Sequence, residues 1–403
     1  MHEAFEWRSP SKSDRMTLTL GIDATNLRSG GGVTHLIELL RAARPAELGI
    51  GRVVVWGNRK VLDELDDQPW LEKLNPRALE KGLLTRAWWQ RYHLSRAARD
   101  EGCDVLFVPG GSYAGNFRPV ITMSQSLLPF EFNELRRYGW SIFTLKLLLL
   151  RWTQSRTFRR AEGVIFLTQY ARKVALDVTG PLRGLSCVAA HGVNDRFKRL
   201  QPKPARAISD CTVECPFRLL YVSTIDQYKH QWHVVEAVAA LRRQGWPVVL
   251  EMVGPAYAPA LARLSAVLNR VDPRREWALY HGVLPYAEVH ELYARADMGI
   301  FASSCETFGL GLLESMAAGL PVACSDQKAM VELIGQPEFH FSPEKPGDIT
   351  RVLTKMIEST ALRDELARVN HRRAQQYSWE RCAEQTFNFL LEVAKRHKGR
   401  QSV

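Results

Sequence analysis

The segment 303-SSCETFGLGLLESMAAGLPVACS-325 decides how this chain is read. It follows an apolar run, MGIFAS, at 298–303, and it holds two glutamates eight positions apart, Glu306 and Glu314. Gly309 stands after the polar loop and Gly319 comes just before Pro321, so the spacing predicts a helix that opens near Phe308 and stops at a glycine. Glu306 then sits at the helix mouth and Glu314 about a turn and a half inside. A helix N-terminus offers free N–H groups and the positive end of the dipole, which suits a phosphate. A carboxylate beside it suits sugar hydroxyls, because it accepts strong hydrogen bonds from neighbouring diols. Two carboxylates either side of a phosphate site match the shape of a nucleotide sugar: a ribose, a diphosphate and a hexose. In isolation, Glu306 would be read as a cap and Glu314 as a solvent-facing helix residue. Glu314 lies among Leu313, Met316, Ala317 and Ala318, however, and a carboxylate in so apolar a helix favours a functional reading.

Outward from this segment the chain alternates strands and helices. In the C-terminal half, FRLLYVS (217–223), PVVLEMVG, WALYHGVL and MGIFAS read as strands, separated by helical stretches such as WHVVEAVAALRRQG. In the N-terminal half, TLTLGI (17–22) leads through SGGGV into the amphipathic THLIELLRAAR, and VVVW (53–56), DVLFVP (104–109), VITMS (120–124) and GVIFLT (163–168) repeat the pattern. This alternation predicts mostly parallel sheets covered on both faces. Residues 199–216 carry three prolines and little periodicity and read as a linker. The expected organisation is α/β: a flexible leader at 1–15, a Rossmann-like domain at 16–198, the linker at 199–216, a second Rossmann-like domain at 217–377, a closing helix at 378–396 that packs back on the first domain, and a tail at 397–403. Two such domains face each other across a cleft, and ligands bind at the carboxyl ends of the strands.

The chain has 403 residues, 46% hydrophobic and 24% charged, as in soluble globular proteins. Its formal charge of +11 is compatible with a nucleic acid, an anionic membrane or an anionic substrate. No nucleic-acid-binding motif accompanies it, so nucleic acid is not an expected partner. The seven scattered cysteines read as free thiols in a reducing compartment, and the lone Cys211–Cys215 pair lacks the companions a zinc site needs. No run of 18 apolar residues occurs, so no transmembrane helix is expected. Residues 136–160, RRYGWSIFTLKLLLLRWTQSRTFRR, contain no acid and interleave arginines and Lys146 with Trp140, Phe143, the Leu147 to Leu150 run and Trp152. That pattern describes a helix lying in an anionic bilayer interface, or else a core helix with a solvated basic face.

The opening segment resembles the Glu-x7-Glu signature of retaining glycosyltransferases of the GT-B fold, in particular glycosyltransferase family 4. LLYVSTIDQYKHQWHVVEAVAAL, VVLEMVGPA, LYHGVLPYAEVHELYARADMGIFAS, GLPVACSD and QQYSWERCAEQTFNFL resemble further segments of that family in its order. The resemblance is strong over 217–335, good near 378–390, and weaker in the N-terminal half, where it rests on GIDATNLRSGGGVTHL and CVAAHGVNDRF.

It implies a hexosyltransferase that takes a nucleotide diphosphate sugar as substrate, keeps the anomeric configuration and needs no cofactor. Lys229 would neutralise the donor diphosphate, Glu306 would lie near the donor sugar, and Glu314 would bind the ribose; these three form the expected catalytic set. Phe308, Gly309 and Leu310 would present backbone N–H groups to sugar and phosphate. Gly31 and Gly32, with Gly30, would approach the diphosphate from the other domain, and Gly254, Val283 and Leu284 would lie near the nucleobase. The sequence departs from the family at Ser223 and Thr224, where relatives usually carry glycine and a phosphate-binding arginine; Thr224 is retained as a donor-side residue that lacks that charge. On the acceptor side, Gln125 and Ser126 stand where many relatives have a His-Asp pair, and Gln125 can hydrogen-bond but cannot relay a proton. His191 reads as a support of the domain interface. No Asp-x-Asp occurs, so no metal site is expected. The implied acceptor is a glycan hydroxyl, lipid-linked in surface polysaccharide or lipopolysaccharide synthesis, with the enzyme peripheral on the cytoplasmic face of the membrane. The alternatives are a disaccharide synthase with a soluble acceptor and a degenerate sugar-nucleotide-binding scaffold.

Overall fold

A computed structural model describes residues 17–28, 30–335 and 339–401. The leader expected at 1–15 lies outside the described residues. Seven parallel strands form the first sheet: β1 (Leu18–Asp23), β2 (Ile50–Trp56), β3 (Leu71–Leu74), β4 (Val105–Val108), β5 (Val120–Met123), β6 (Gly163–Phe166) and β7 (Leu185–Val188), in the order β3-β2-β1-β4-β5-β6-β7. Six more form the second: β8 (Phe217–Val222), β9 (Val248–Val253), β10 (Ala278–Tyr280), β11 (Met298–Phe301), β12 (Val322–Ser325) and β13 (His340–Phe341), in the order β10-β9-β8-β11-β12-β13. The molecule is thus two Rossmann-like domains, α/β throughout, as the alternating pattern predicts.

The central strands β4, β5, β6, β9, β11 and β12 are buried at every residue. This explains why they read as continuous apolar runs rather than as alternating ones: helices cover both sheet faces. Each order reverses between the first strand and the fourth, β1 beside β4 and β8 beside β11. Loops leaving adjacent strands at such a reversal diverge to opposite faces and leave a crevice, which is where doubly wound sheets bind ligands. The loop after β8 carries Lys229, and the loop after β11 carries Glu306.

The linker is not a free tether. Arg206 pairs with Asp297 at 2.7 Å, the Ala205 amide donates to Asp364 at 2.8 Å, and the Arg206 carbonyl accepts from Arg363. The last helix runs Trp379–Gln401 and packs against the helix Gly31–Ala42 and strands β4 and β6 of the first domain. The sequence places a tail from 397; the structure corrects this, because the helix continues to Gln401, with Lys398 paired to Asp104 at 2.7 Å. The cysteines are all free; Cys211, Cys305, Cys324 and Cys382 are buried, Cys103 and Cys187 are half-buried, and Cys215 is exposed.

Candidate active site between the two domains

The helix that follows Glu306 runs Leu310–Ala317. Gly309 caps it with φ +96°, in the left-handed region that glycine adopts without strain. A Cβ there would also fall 2.6 Å from the Met330 Cε. The helix therefore begins two residues later than the sequence predicts, and its first turn stands above the β8/β11 crevice. Gly254 is needed for a related reason: φ is +140°, and a Cβ would meet the Ser223 carbonyl oxygen at 2.3 Å. This close approach holds the loops after β8 and β9 together beside Thr224, whose carbonyl accepts from Gln231 at 2.9 Å.

Lys229 and Glu306 form an ion pair, with both side chains largely buried at 9% and 14% exposure. The Lys229 ammonium also stands 5.0 Å from the ring centres of Tyr228 and Phe301. Its backbone is fixed from below, since the buried Tyr221 hydroxyl donates to the Lys229 carbonyl at 2.6 Å. His230 adopts a left-handed conformation and contacts Ser304 at 2.9 Å through Nε2. The Ser304 hydroxyl donates to Glu134 of the first domain at 2.6 Å. A cation of this kind, partly desolvated and held by a fixed loop, stabilises a developing negative charge far better than a solvated lysine does.

Glu314 lies four residues into the helix and is 7% exposed. The Tyr293 hydroxyl donates to it at 3.3 Å. Its carboxylate lines a cavity of about 340 Å³ between the domains, together with Leu310, Thr34, Glu38, Arg41, Asn194 and Trp379, among others. Glu306 and Glu314 thus face different spaces: one a cation-lined crevice, the other a cavity with polar walls. Asn194 and Arg196, which also lines that cavity, went unnoticed in the sequence; Asn194 caps the short helix Asp195–Lys198 that carries Arg196.

Of the other expected residues, some converge and some do not. A Cβ on Gly32 would lie 2.6 Å from the Gln125 Oε1, and the Gln125 carbonyl accepts from Thr307 at 3.0 Å. Thr168 donates to the Thr307 carbonyl at 2.9 Å. The glycine loop, Gln125 and the residue after Glu306 therefore meet across the cleft, while Gly31 remains open and Ser126 is exposed. Phe308 is buried, with its ring 5.3 Å from His191 and 5.8 Å from Tyr377, so its side chain wedges the interface and only its backbone can serve a ligand. Val283 points outward at 71% exposure, and neither it nor Leu284 lines the Glu314 cavity. His191 meets His35 at 4.8 Å and Trp379 at 5.5 Å. Burial pushes the His35 imidazole down to about 4 and His191 well down too, so both are neutral wedges at neutral pH. Among the described residues no group of three or more His, Cys, Asp or Glu is arranged to hold a metal.

Residues 213–373 match the family model "Glycosyl transferases group 1". The chain is 31% identical over 172 residues to the O-antigen chain mannosyltransferase B of Escherichia coli, covering 42% of this chain and 44% of that protein. The match therefore spans less than half the length of that relative. Among solved structures, the chain superposes on sucrose-phosphate synthase from Thermosynechococcus elongatus with a TM-score of 0.71, 17% identity and coverage of 93% and 99%. It superposes on Anabaena HepE in complex with UDP-glucose with a TM-score of 0.65, 16% identity and coverage of 95% and 100%. The chain carries a glycosyl transferases group 1 domain, set in two Rossmann-like domains that face each other in the GT-B arrangement.

Proposed function

We propose that the protein is a retaining glycosyltransferase that moves a hexose from a nucleotide diphosphate sugar to a hydroxyl of a glycan acceptor. The observation that carries this reading is the division of labour around one helix. A buried Lys229–Glu306 pair stands at its mouth, and Glu314 opens into a separate cavity of about 340 Å³. In the proposed reaction the bond between the anomeric carbon and the diphosphate oxygen breaks. The acceptor oxygen bonds to the same face of that carbon, and its proton passes to the departing diphosphate. Lys229 offsets the charge that grows on the leaving group. Glu306 holds hydroxyls of the sugar, and Glu314 accepts from the ribose diol. No protein nucleophile is required. The name of the Escherichia coli relative supports a role in bacterial surface polysaccharide, and the UDP-glucose bound to HepE supports a nucleotide-sugar donor.

The experiment is thermal unfolding of the protein with UDP, GDP and ADP in turn. A ligand bound only by the folded state adds about 2.7 kcal/mol of stability at one hundred times its Kd. One nucleotide is expected to raise Tm clearly above the other two; three flat responses would remove the donor assignment.

We also propose docking on the inner face of an anionic membrane through residues 136–160, which would bring a lipid-linked acceptor to the cleft. No helix among the described residues is long and apolar enough to cross a membrane. The helix Ile142–Arg160 instead shows solvent Trp140 just before it, then Ile142, Leu145, Leu148, Leu149 and Trp152 along one face, with Lys146, Arg156, Arg159 and Arg160 exposed around and beyond them. Arg137 and Arg151 do not belong to that face: one pairs with Glu134 and Glu344, the other donates to the Pro129 and Phe130 carbonyls. Burying a leucine side chain is worth about 1.5–3 kcal/mol. Leu149→Ser is therefore expected to weaken binding to phosphatidylglycerol vesicles about tenfold in a sedimentation assay. Wild-type protein that stays in the supernatant would end the membrane proposal.

A further inference from the structure

Lys229 is gripped on both sides by one short piece of the first domain. That piece is the helix Phe132–Arg136 and the two residues after it, in the connection between β5 and β6. On the amino-terminal side of the lysine, the Tyr138 hydroxyl donates to Asp226 at 2.7 Å. The Asp226 carboxylate also accepts from the Gln227 amide at 2.7 Å, and its carbonyl accepts from the Lys229 amide at 3.0 Å. Tyr138 therefore holds the turn that ends at the lysine. Its own ring is buried, 4.7 Å from Phe143 and 5.6 Å from Tyr257 of the second domain. On the carboxyl-terminal side, the buried Glu134 reaches His230 through Ser304. Arg137 fixes Glu134 with two bonds, at 2.7 and 3.1 Å, and reaches Glu344 of the second domain at 3.1 Å.

The second grip has a definite direction. Ser304 has one hydroxyl proton and gives it to Glu134 at 2.6 Å, so its oxygen accepts from His230 Nε2 at 2.9 Å. Burial pushes the His230 imidazole down to about 3, so the ring is neutral and its one proton sits on Nε2. The bare Nδ1 is buried without a hydrogen-bond partner, as that form requires. The backbone at this position is also unusual. His230 has φ +53° and ψ 29°, and Arg275 is the one other non-glycine residue with positive φ among the described residues. Glycine would adopt this conformation more easily; what glycine lacks is the bond to Ser304. Both grips act on the backbone either side of Lys229, while the ammonium itself meets Glu306. They decide where the cation points, and a misplacement of about 1 Å is enough to matter for a group that acts by position.

We propose that Glu134, through Ser304 and His230, and Tyr138, through Asp226, are positioning residues that aim Lys229 at the second phosphate of the donor nucleotide, so that the diphosphate site is complete only while this piece of the first domain is docked on it. The proposal rests on the transferase reading, because that reading gives Lys229 its diphosphate. Neither grip runs through Glu314, so the ribose contact serves as an internal control.

The test is calorimetric titration with UDP and UMP, GDP and GMP, and ADP and AMP. For one base, wild-type protein is expected to bind the diphosphate at least about thirtyfold more tightly than the monophosphate, because only the diphosphate reaches Lys229. Tyr138→Phe and Ser304→Ala each remove one hydroxyl and keep the rest of the side-chain packing. Each is expected to lower that ratio about fivefold, and the two together about twentyfold, while the monophosphate keeps its affinity. Ser304→Thr retains the hydroxyl and is expected to retain the ratio. A brace that only stabilised the cleft would weaken both nucleotides alike, and that result overturns the proposal. A ratio unchanged in both variants overturns it as well. If Ser304→Ala does not unfold cooperatively, Tyr138→Phe alone carries the test. Wild-type protein that binds none of the six nucleotides removes the donor reading and the proposal with it; variants that bind with the wild-type ratio remove the proposal alone.

Discussion

Lys229→Met is expected to slow transfer by about 10²–10³ and to destabilise the fold by about 3–5 kcal/mol; Lys229→Met/Glu306→Gln is expected to regain the stability and none of the rate. The two effects have separate causes. Lys229 and Glu306 are both largely buried and paired, so each neutralises a charge the interior would not otherwise accept. Removing the lysine alone leaves a carboxylate with no cation, enclosed beside the Tyr228 and Phe301 rings that flank the ammonium. Glutamine at 306 removes that uncompensated charge and keeps the shape. Catalysis has no such repair, because the cation is needed when the diphosphate departs and methionine cannot supply it. Urea midpoints and initial transfer rates on the same three proteins separate the effects. A single variant as stable as wild type would mean that water reaches the pair. A double variant that turns over would remove Lys229 from the charge-stabilising role.

The sequence showed the fold well where strands are buried on both faces. VITM, GVIF and MGIF are read correctly because nothing polar interrupts them. It missed β3, LEKL, and gave no separate strand at β7, LSCV: these edge strands are only half-buried, and their mixed composition carries no period. The site was legible only where one segment carries it. Glu306, Gly309 and Glu314 share a loop and a helix, so their spacing is local information. The contacts that shape the site are not local. Glu134 reaches Ser304 across 170 residues, Thr307 reaches Gln125 across 182, and Asn194 joins Glu314 only through the cavity.

Glu314→Ala separates the ribose role from a structural one through the sign of its effect. A carboxylate that stabilises the fold should cost stability when removed. Glu314 sits in the buried part of a helix of leucine, methionine and alanine, and its contact with the Tyr293 hydroxyl is long, at 3.3 Å. Alanine is the better helix former, and the leucine and methionine packing of the helix does not depend on the carboxylate. The ligand-free variant is therefore expected to unfold at the same temperature as wild type or a higher one. With nucleotide the order should reverse. A charge-assisted hydrogen bond is worth about 1.5–3 kcal/mol, so losing the ribose contact should weaken the nucleotide by roughly ten- to one-hundredfold and remove most of its stabilisation. The cavity wall remains, since Glu38, Arg41 and Asn194 come from the other domain and do not depend on this helix position. A variant that loses stability without ligand and keeps its nucleotide response would make Glu314 a structural residue. The expected pattern, an equal or more stable protein that no longer senses its donor, is the one left by a group kept for binding at a cost to the fold.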